Sequence, residues 1–323
     1  MKVGFLGTGA IAAELAGTFA QIEDVECYAV ASRTAEKAQI FAKEHGFKKA
    51  YGSYRELAED PEVELVYIAT PHSHHYEAMK LCVEHGKPVL CEKAFTMNGR
   101  QAKEIAALAK KNGVFVTEAI WTRYMPSRKM INEVLESGVI GKVSTLTANL
   151  SYAINHKPRI MTPELAGGAL LDVGVYGINF ALMHFGSEIE RIESAVQFTD
   201  TGVDGQETIT LFYKDGRMAV LTHGIYARSD RKGIIYGDKG YMVVENINNP
   251  QSVSVFDTED NLIKKIDMPK QISGYEYQII ESMEAIKEHK TESNSMPLAD
   301  SVYVMEIMDS IRRQWGLVYP QEK

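Results

Sequence analysis

The sequence predicts an α/β protein. A Rossmann-type, doubly wound parallel sheet comes first, and an α+β domain with a mainly antiparallel sheet follows. Three observations predict this. The chain opens on a short apolar strand that runs into Gly7-Thr8-Gly9-Ala10-Ile11-Ala12. Strand-like and helix-like segments then alternate as far as Glu118. From Glu190 the rhythm changes to short strands separated by turn residues.

The opening turn carries the most information. Its spacing is G-x-G-x-x-A, from Gly7 through Gly9 to Ala12. Gly7 permits a tight strand-to-helix turn, Gly9 lets a pyrophosphate approach the backbone, and Ala12 allows close packing of helix on strand. The helix N-terminus offers free N–H groups and the positive end of its dipole to phosphates. Thr8, Ala10 and Ile11 complete the phosphate-facing turn. The same glycines also fit a plain structural turn; the apolar strand before them and the apolar segment Ala12 to Phe19 after them favour the dinucleotide reading.

The first part continues in βαβ units. Val25 to Ala31 reads as a strand, Ala35 to His45 as a helix ended by Gly46, and Tyr54 to Glu59 as a short helix. Leu65 to Ala69 is a buried strand, Tyr76 to Glu84 a helix, Pro88 to Cys91 a strand, Gly99 to Lys111 a helix, and Val114 to Thr117 the last strand. Nearly continuous apolar strands separated by helices indicate a parallel sheet covered on both faces. In the second part, Pro126 to Leu135 reads as a connecting helix, and Gly167 to Phe185 as glycine-led and then helical. Strands are expected at Thr208 to Tyr213, Met218 to Thr222, Lys232 to Tyr236, Gly240 to Glu245, Ser252 to Phe256 and Leu262 to Ile266. Helices at Tyr275 to Glu288 and Leu298 to Trp315 close the chain. The expected division is a nucleotide-binding domain at 1–119 and a substrate and dimerisation domain at 120–323.

Composition sets outer bounds. The length of 323 residues suits about two domains, and 45% hydrophobic residues can bury a sizeable core. Net charge is 35 − 43 = −8, with no long basic run, which argues against nucleic-acid and membrane-surface partners. No apolar run is expected to span a membrane, and the N-terminus does not read as a signal peptide. Cys27, Cys82 and Cys91 form no disulfide framework, which suggests reduced thiols in the cytoplasm.

The end of the second strand bears on cofactor choice. An Asp or Glu there would hold the ribose hydroxyls of NAD. The chain instead reads Ala29-Val30-Ala31-Ser32-Arg33, with Lys37 one helical turn on. A hydroxyl and a guanidinium suit a 2′-phosphate, which favours NADP(H) and leaves NAD(H) open. A solvated loop charge beside a helix cap is the structural alternative.

Four later stretches gather potential chemistry. They are Thr70-Pro71-His72-Ser73-His74-His75-Tyr76-Glu77, Cys91-Glu92-Lys93-Ala94, Glu118-Ala119-Ile120-Trp121-Thr122-Arg123-Tyr124, and Gly167-Gly168 leading to Asp172-Val173-Gly174-Val175-Tyr176. The first three fall where ligands bind in open α/β sheets, outside the carboxyl ends of strands. Taken with the opening turn, these motifs resemble the glucose–fructose oxidoreductase/inositol dehydrogenase (Gfo/Idh/MocA) superfamily over essentially the whole chain. The resemblance implies a Rossmann domain joined to an α/β domain with a large open sheet. Glu118 to Tyr124 and the Asp/Tyr pair are most similar to the dimeric dihydrodiol dehydrogenases, a branch that oxidises trans-dihydrodiols and D-xylose with NADP. Inositol dehydrogenases typically carry histidine where Tyr176 stands.

The resemblance implies Lys93, Asp172 and Tyr176 as catalytic residues. It also implies Gly7 to Ile11, Ser32, Arg33, Lys37, Thr70, Pro71, His72, His75, Glu92, Lys93, Trp121 and Arg123 as the cofactor's surroundings. Residue chemistry agrees in part. Asp172 and Tyr176 are four apart, so on an α-helix they share a face. A tyrosine takes an alcohol proton if a nearby ammonium such as Lys93 favours its ionised form. The structural alternatives are a packing tyrosine, a helix-capping aspartate, a surface lysine and a core Trp121. Two residues depart from the pattern: Ala94 replaces the family's proline, and His72 its usual asparagine. His72, His74 and His75 lack the spaced ligand pattern of a zinc site, so no metal is expected. The expected function is hydride transfer between nicotinamide and a hydroxyl or carbonyl carbon of a small sugar, polyol or trans-diol. The expected assembly is a homodimer, or a higher homo-oligomer, formed through the C-terminal sheet. A non-catalytic NADP-binding sensor on the same scaffold is the alternative.

Overall fold

The computed structural model describes residues 1–323. The chain forms two compact units: Met1–Tyr124 with Gln271–Met305, and Met125–Lys270 with Glu306–Lys323.

The first unit is a six-stranded parallel sheet. In chain order its elements are β1 (Lys2–Leu6), α1 (Ala10–Phe19), β2 (Glu26–Ala31), α2 (Ala35–His45), β3 (Lys49–Tyr51), α3 (Tyr54–Glu59), β4 (Leu65–Ile68), α4 (His72–Glu84), β5 (Val89–Glu92), α5 (Gly99–Asn112) and β6 (Val116–Ala119). The strand order is β3-β2-β1-β4-β5-β6. The order in which strands are added therefore reverses between β1 and β4, and ligands of such sheets bind at that switch point. The core is aromatic: Phe5 meets Phe19, Phe47 and Tyr67 edge-on, with ring centroids 4.9–5.6 Å apart.

A sequential division at 119/120 places Gln271–Met305 in the second domain, and the structure corrects this. The helix at Glu276–Lys287 buries Ile279 and Met283 in the same core as Val3, Phe5, Leu15 and Phe19. Burying two such side chains is worth ~3–6 kcal/mol together. A hydrogen bond from Val116 N–H to the Thr291 carbonyl ties the following loop to β6.

The second unit holds α6 (Pro126–Glu136), β7 (Val143–Ser151), α7 (Pro158–Met161), a π-turn at Leu170–Gly174 that continues into α8 (Val175–Phe185), and β8 (Ile189–Phe198). Then come β9 (Asp204–Tyr213), β10 (Met218–Gly224), β11 (Gly233–Gly237), β12 (Gly240–Val244), β13 (Ser252–Asp257) and β14 (Leu262–Asp267). The eight strands make one open sheet ordered β14-β13-β12-β11-β7-β10-β9-β8, in which only the β7–β10 pair is parallel. Alternation along the strands points Leu146, Ala148, Ile235, Met242, Leu211 and Leu221 inward. At Gly233 an added Cβ would stand 2.5 Å from the Phe180 ring, so α8 rests directly on this sheet face.

By length and composition alone Pro163–Phe185 is long and apolar enough to cross a membrane, but the helical structure is broken at Ala166–Gly168 and runs on only from Ala169. Its apolar window is 94% buried, because the run from Ala169 is the central helix of this unit. The last helices of the chain are α9 (Glu276–Lys287) and α10 (Leu298–Trp315).

Candidate active site

The residues of the first unit expected to face the cofactor follow β1, β2, β4, β5 and β6 at their carboxyl ends. After β1, Gly7 has φ +108°, and a Cβ there would stand 2.6 Å from the Ala69 carbonyl oxygen. Gly9 is the N-cap of α1, with no side-chain cap, and an added Cβ would meet nothing within 4 Å. The space beside Gly9 is open, as the approach of a pyrophosphate to the N-terminus of α1 requires. After β2, Ser32 is buried while Arg33 and Lys37 are exposed. The Arg33 charge is felt by Tyr54 and by His74, whose pKa is pushed down by burial and by that guanidinium. Arg33 therefore lies near the first turns of α3 and α4.

After β4, Pro71 is the N-cap of α4, so His72 and His75 share its first turn. The His75 ring bridges two loops, with Nδ1 2.8 Å from the Ala94 carbonyl oxygen and Nε2 2.8 Å from that of Thr70. Burial pushes its pKa down to about 4, against the pull of both carbonyls, so the ring is neutral and donates to one of them. His75 thereby links the Thr70-Pro71 turn to the segment after Lys93. The Lys93–Ala94 peptide bond is cis.

Several residues expected beside the cofactor are engaged within the protein. Glu92 accepts a hydrogen bond from Tyr67 Oη at 2.6 Å. Trp121 stacks on Tyr275 with ring centroids 4.0 Å apart, which joins the β6 edge to α9. Arg123 Nη1 donates to Asp300 Oδ2 at 2.6 Å. Glu118 opens one of the four stretches of potential chemistry, and the sequence assigns it no role. It is fully buried on β6, and its Oε1 accepts the Phe95 N–H at 3.1 Å. Burial pushes its pKa up to about 7, against the pull of Ser301 and Arg123.

In the second unit, Asp172 lies inside the π-turn and Tyr176 in the first turn of α8, both buried. The helix-capping alternative for Asp172 does not hold, because the helical run begins upstream of it. Asp204 on β9 instead accepts the Leu170 N–H at 2.5 Å. Asp172 is held by Arg159, with Nη1 3.0 Å from Oδ1 and Nη2 3.4 Å from Oδ2. The sequence signal for Arg159 is slight, a basic loop preceding Gly167-Gly168. Interpolating a π-turn changes the i, i+4 geometry assumed for Asp172 and Tyr176. A π-turn spreads its residues more widely around the axis, and such turns are frequent at functional sites.

Known proteins resemble this arrangement along the whole chain. Residues 1–120 match the model of the oxidoreductase family with an NAD-binding Rossmann fold. Residues 129–243 match that of the GFO/IDH/MocA C-terminal domain. A trans-1,2-dihydrobenzene-1,2-diol dehydrogenase of Danio rerio is 36% identical over 93% of this chain and 92% of its own. The Mus musculus enzyme of the same name is 33% identical over 100% and 99%. Among solved structures, a 3-ketoreductase from Actinomadura kijaniata in complex with NADP and TDP-benzene superposes with a TM-score of 0.90 at 23% identity, covering 97% of each chain. An aldose-aldose oxidoreductase from Caulobacter crescentus gives a TM-score of 0.88 at 20% identity over 99% of each. At these identities the two structures speak for the fold.

Proposed function

The chain belongs to the Gfo/Idh/MocA oxidoreductase family and is a dehydrogenase/reductase; from that premise we propose that it moves a hydride between NADP(H) and the CH–OH carbon of a small trans-diol, sugar or polyol. The full-length likeness to trans-1,2-dihydrobenzene-1,2-diol dehydrogenases carries this reading. Ser32-Arg33, where an acid would favour NAD, supports NADP.

Gly7 to Ile11 and the N-terminus of α1 hold the pyrophosphate. Ser32, Arg33 and Lys37 take the 2′-phosphate, and Thr70, Pro71, His72 and Lys93 surround the nicotinamide end. Glu92, His75, Trp121 and Arg123 complete the cofactor's surroundings, and His75 also ties the Thr70 turn to the segment after Lys93. When bound, the nicotinamide supplies or accepts the hydride. Tyr176 takes the alcohol proton as general base, Asp172 orients the substrate hydroxyl, and Lys93 contributes positive charge. Steady-state assays with NADP or NAD against trans-diols, aldoses and polyols test this. Turnover with NADP that drops ~100-fold or more in Tyr176→Phe is expected. Saturable NADPH binding with no turnover across the panel would overturn it.

The assembly we infer is a homodimer through the open sheet. The sheet face away from α8 presents Ile234, Tyr236, Tyr241, Val243 and Phe256, all half-buried or exposed, with Tyr241 and Phe256 stacked at 5.0 Å. A second copy would cover this apolar surface. Monomer alone by light scattering over a wide concentration range would reject the dimer. Three free, buried cysteines fit a reducing cytoplasm.

A further inference from the structure

Beneath the helical run that carries Asp172 and Tyr176 lie three ionisable side chains shut off from solvent. Asp204 is 0%, Glu207 2% and His223 1% exposed. Asp204 and Glu207 belong to β9, and His223 to β10. Glu207 and His223 are direct cross-strand partners, with Glu207 Oε1 2.9 Å from His223 Nδ1.

The backbone above rests on these groups. A Cβ at Gly168 would stand 2.0 Å from Asp204 Oδ1, one at Gly174 2.4 Å from Glu207 Oε1, and one at Gly177 2.1 Å from His223 Nε2. With the hydrogen bond from Leu170 N–H to Asp204, contacts fall at the start, the middle and the end of the segment that spans Asp172 and Tyr176. These glycines are the spacing that a polar platform requires.

Burial favours the uncharged form of all three groups. Burial pushes Glu207 up to about 8, a hydrogen bond with Asp204 working against it, and pushes His223 down to about 3. Burial, and then Glu207, push Asp204 well above the carboxylate range. His223 Nδ1–H then donates to Glu207 Oε1. Asp204 Oδ1, Glu207 Oε2 and His223 Nε2 meet no other protein partner, and a proton shared by the carboxyl pair would link the two oxygens. An apolar core of equal volume would cost less to bury, but it would lack directional bonds to set the height and rotation of the helix.

We propose that Glu207 and His223, together with Asp204, are positioning residues that fix the π-turn and first turn of α8 and so place Asp172 and Tyr176. The inference rests on the reading of Tyr176 as the proton acceptor. Its test uses Glu207→Ala, His223→Leu and the isosteric Glu207→Gln. The readouts are kcat, KM, NADPH affinity and amide hydrogen exchange across residues 168–178. Because a misplacement of about 1 Å costs about 100-fold, Glu207→Ala and His223→Leu should lose roughly 10- to 100-fold in kcat. Their NADPH affinity should stay unchanged while their amides exchange faster. Glu207→Gln, neutral and of the same shape, should restore both. Should the truncations fail to fold, Glu207→Asp takes their place, since it withdraws the acceptor by one methylene. Wild-type kcat and exchange in a folded truncation, or in Glu207→Asp, would overturn the inference, as would a Gln variant as damaged as the Ala variant. If the wild type shows no turnover, the functional reading fails and exchange alone decides: unchanged protection in Glu207→Ala overturns the platform, and lost protection upholds it.

Discussion

Arg159 holds Asp172 through both terminal nitrogens of its guanidinium, at 3.0 and 3.4 Å. The pair is asymmetric, since the Asp172 side chain is 6% exposed and that of Arg159 48%. Solvent screens the attraction on the arginine side, so its value lies in orienting the carboxylate more than in stability. Arg159→Ala is therefore expected to lower kcat/KM by roughly 5- to 20-fold while moving stability by under ~1 kcal/mol. Arg159→Lys cannot reproduce the fork and should recover little of the loss. Full activity in Arg159→Ala would show that Asp172 needs no such partner.

Arg33 governs cofactor choice if the 2′-phosphate reading holds. Its replacement by alanine removes a charge-assisted contact available to NADP and not to NAD. The ratio of kcat/KM for NADP over NAD should fall by roughly 10- to 100-fold, almost wholly through the NADP value. An unchanged ratio would sink the assignment.

Much of the fold is legible because local pattern and tertiary role coincide. The turn at Gly7 and Gly9, the apolar β4, and α10 at Leu298–Trp315 all stand where the sequence places them. The failures are non-local. β7, central in the second sheet, reads Val-Ser-Thr-Leu-Thr-Ala-Asn-Leu-Ser, and only Leu146, Ala148 and Leu150 carry its buried face. So weak an alternation does not announce a strand. Apolar alternation likewise ends at Thr208 and Thr222, whereas β9 reaches back to Asp204 and β10 on to Gly224. Glu207 and His223 are lost at those edges because a buried polar residue looks like the end of a strand. The return of α9 to the first unit has no local signature either, since its apolar stripe fits any core.

The two glycines of the opening turn should separate folding from binding. Gly7 combines φ +108° with a carbonyl oxygen 2.6 Å from any Cβ, so Gly7→Ala should cost ~2–4 kcal/mol of stability. At Gly9, φ is −86° and nothing lies within 4 Å, so Gly9→Ala should fold with stability within ~1 kcal/mol of wild type. Its Cβ would occupy the approach of the pyrophosphate, and NADPH affinity should drop by at least ~10-fold. Thermal melts and fluorescence titration measure the two effects. Equal NADPH affinity in Gly9→Ala would place the pyrophosphate elsewhere.

Glu118 ties pH to the loop after Lys93. Burial raises its folded pKa to about 7 from 4.5, with Ser301, Arg123 and the Phe95 N–H pulling down and Glu92 pushing up. Between those two values the folded protein keeps a proton that the unfolded chain has released. Its contribution to stability is therefore fully present below the unfolded value. It falls as pH rises through the window and levels off above the folded pKa. A gap of that size corresponds to ~3 kcal/mol at most. Glu118→Gln keeps an acceptor for Phe95 and does not titrate. Urea unfolding should show the variant gaining on the wild type between about pH 5 and about pH 8, by up to ~3 kcal/mol. Taking the difference between the two proteins cancels the contributions of Glu207 and His223, which both share. A difference that stays flat, or that grows toward acid pH, would mean Glu118 is ionised across this range and that Arg123 outweighs its burial.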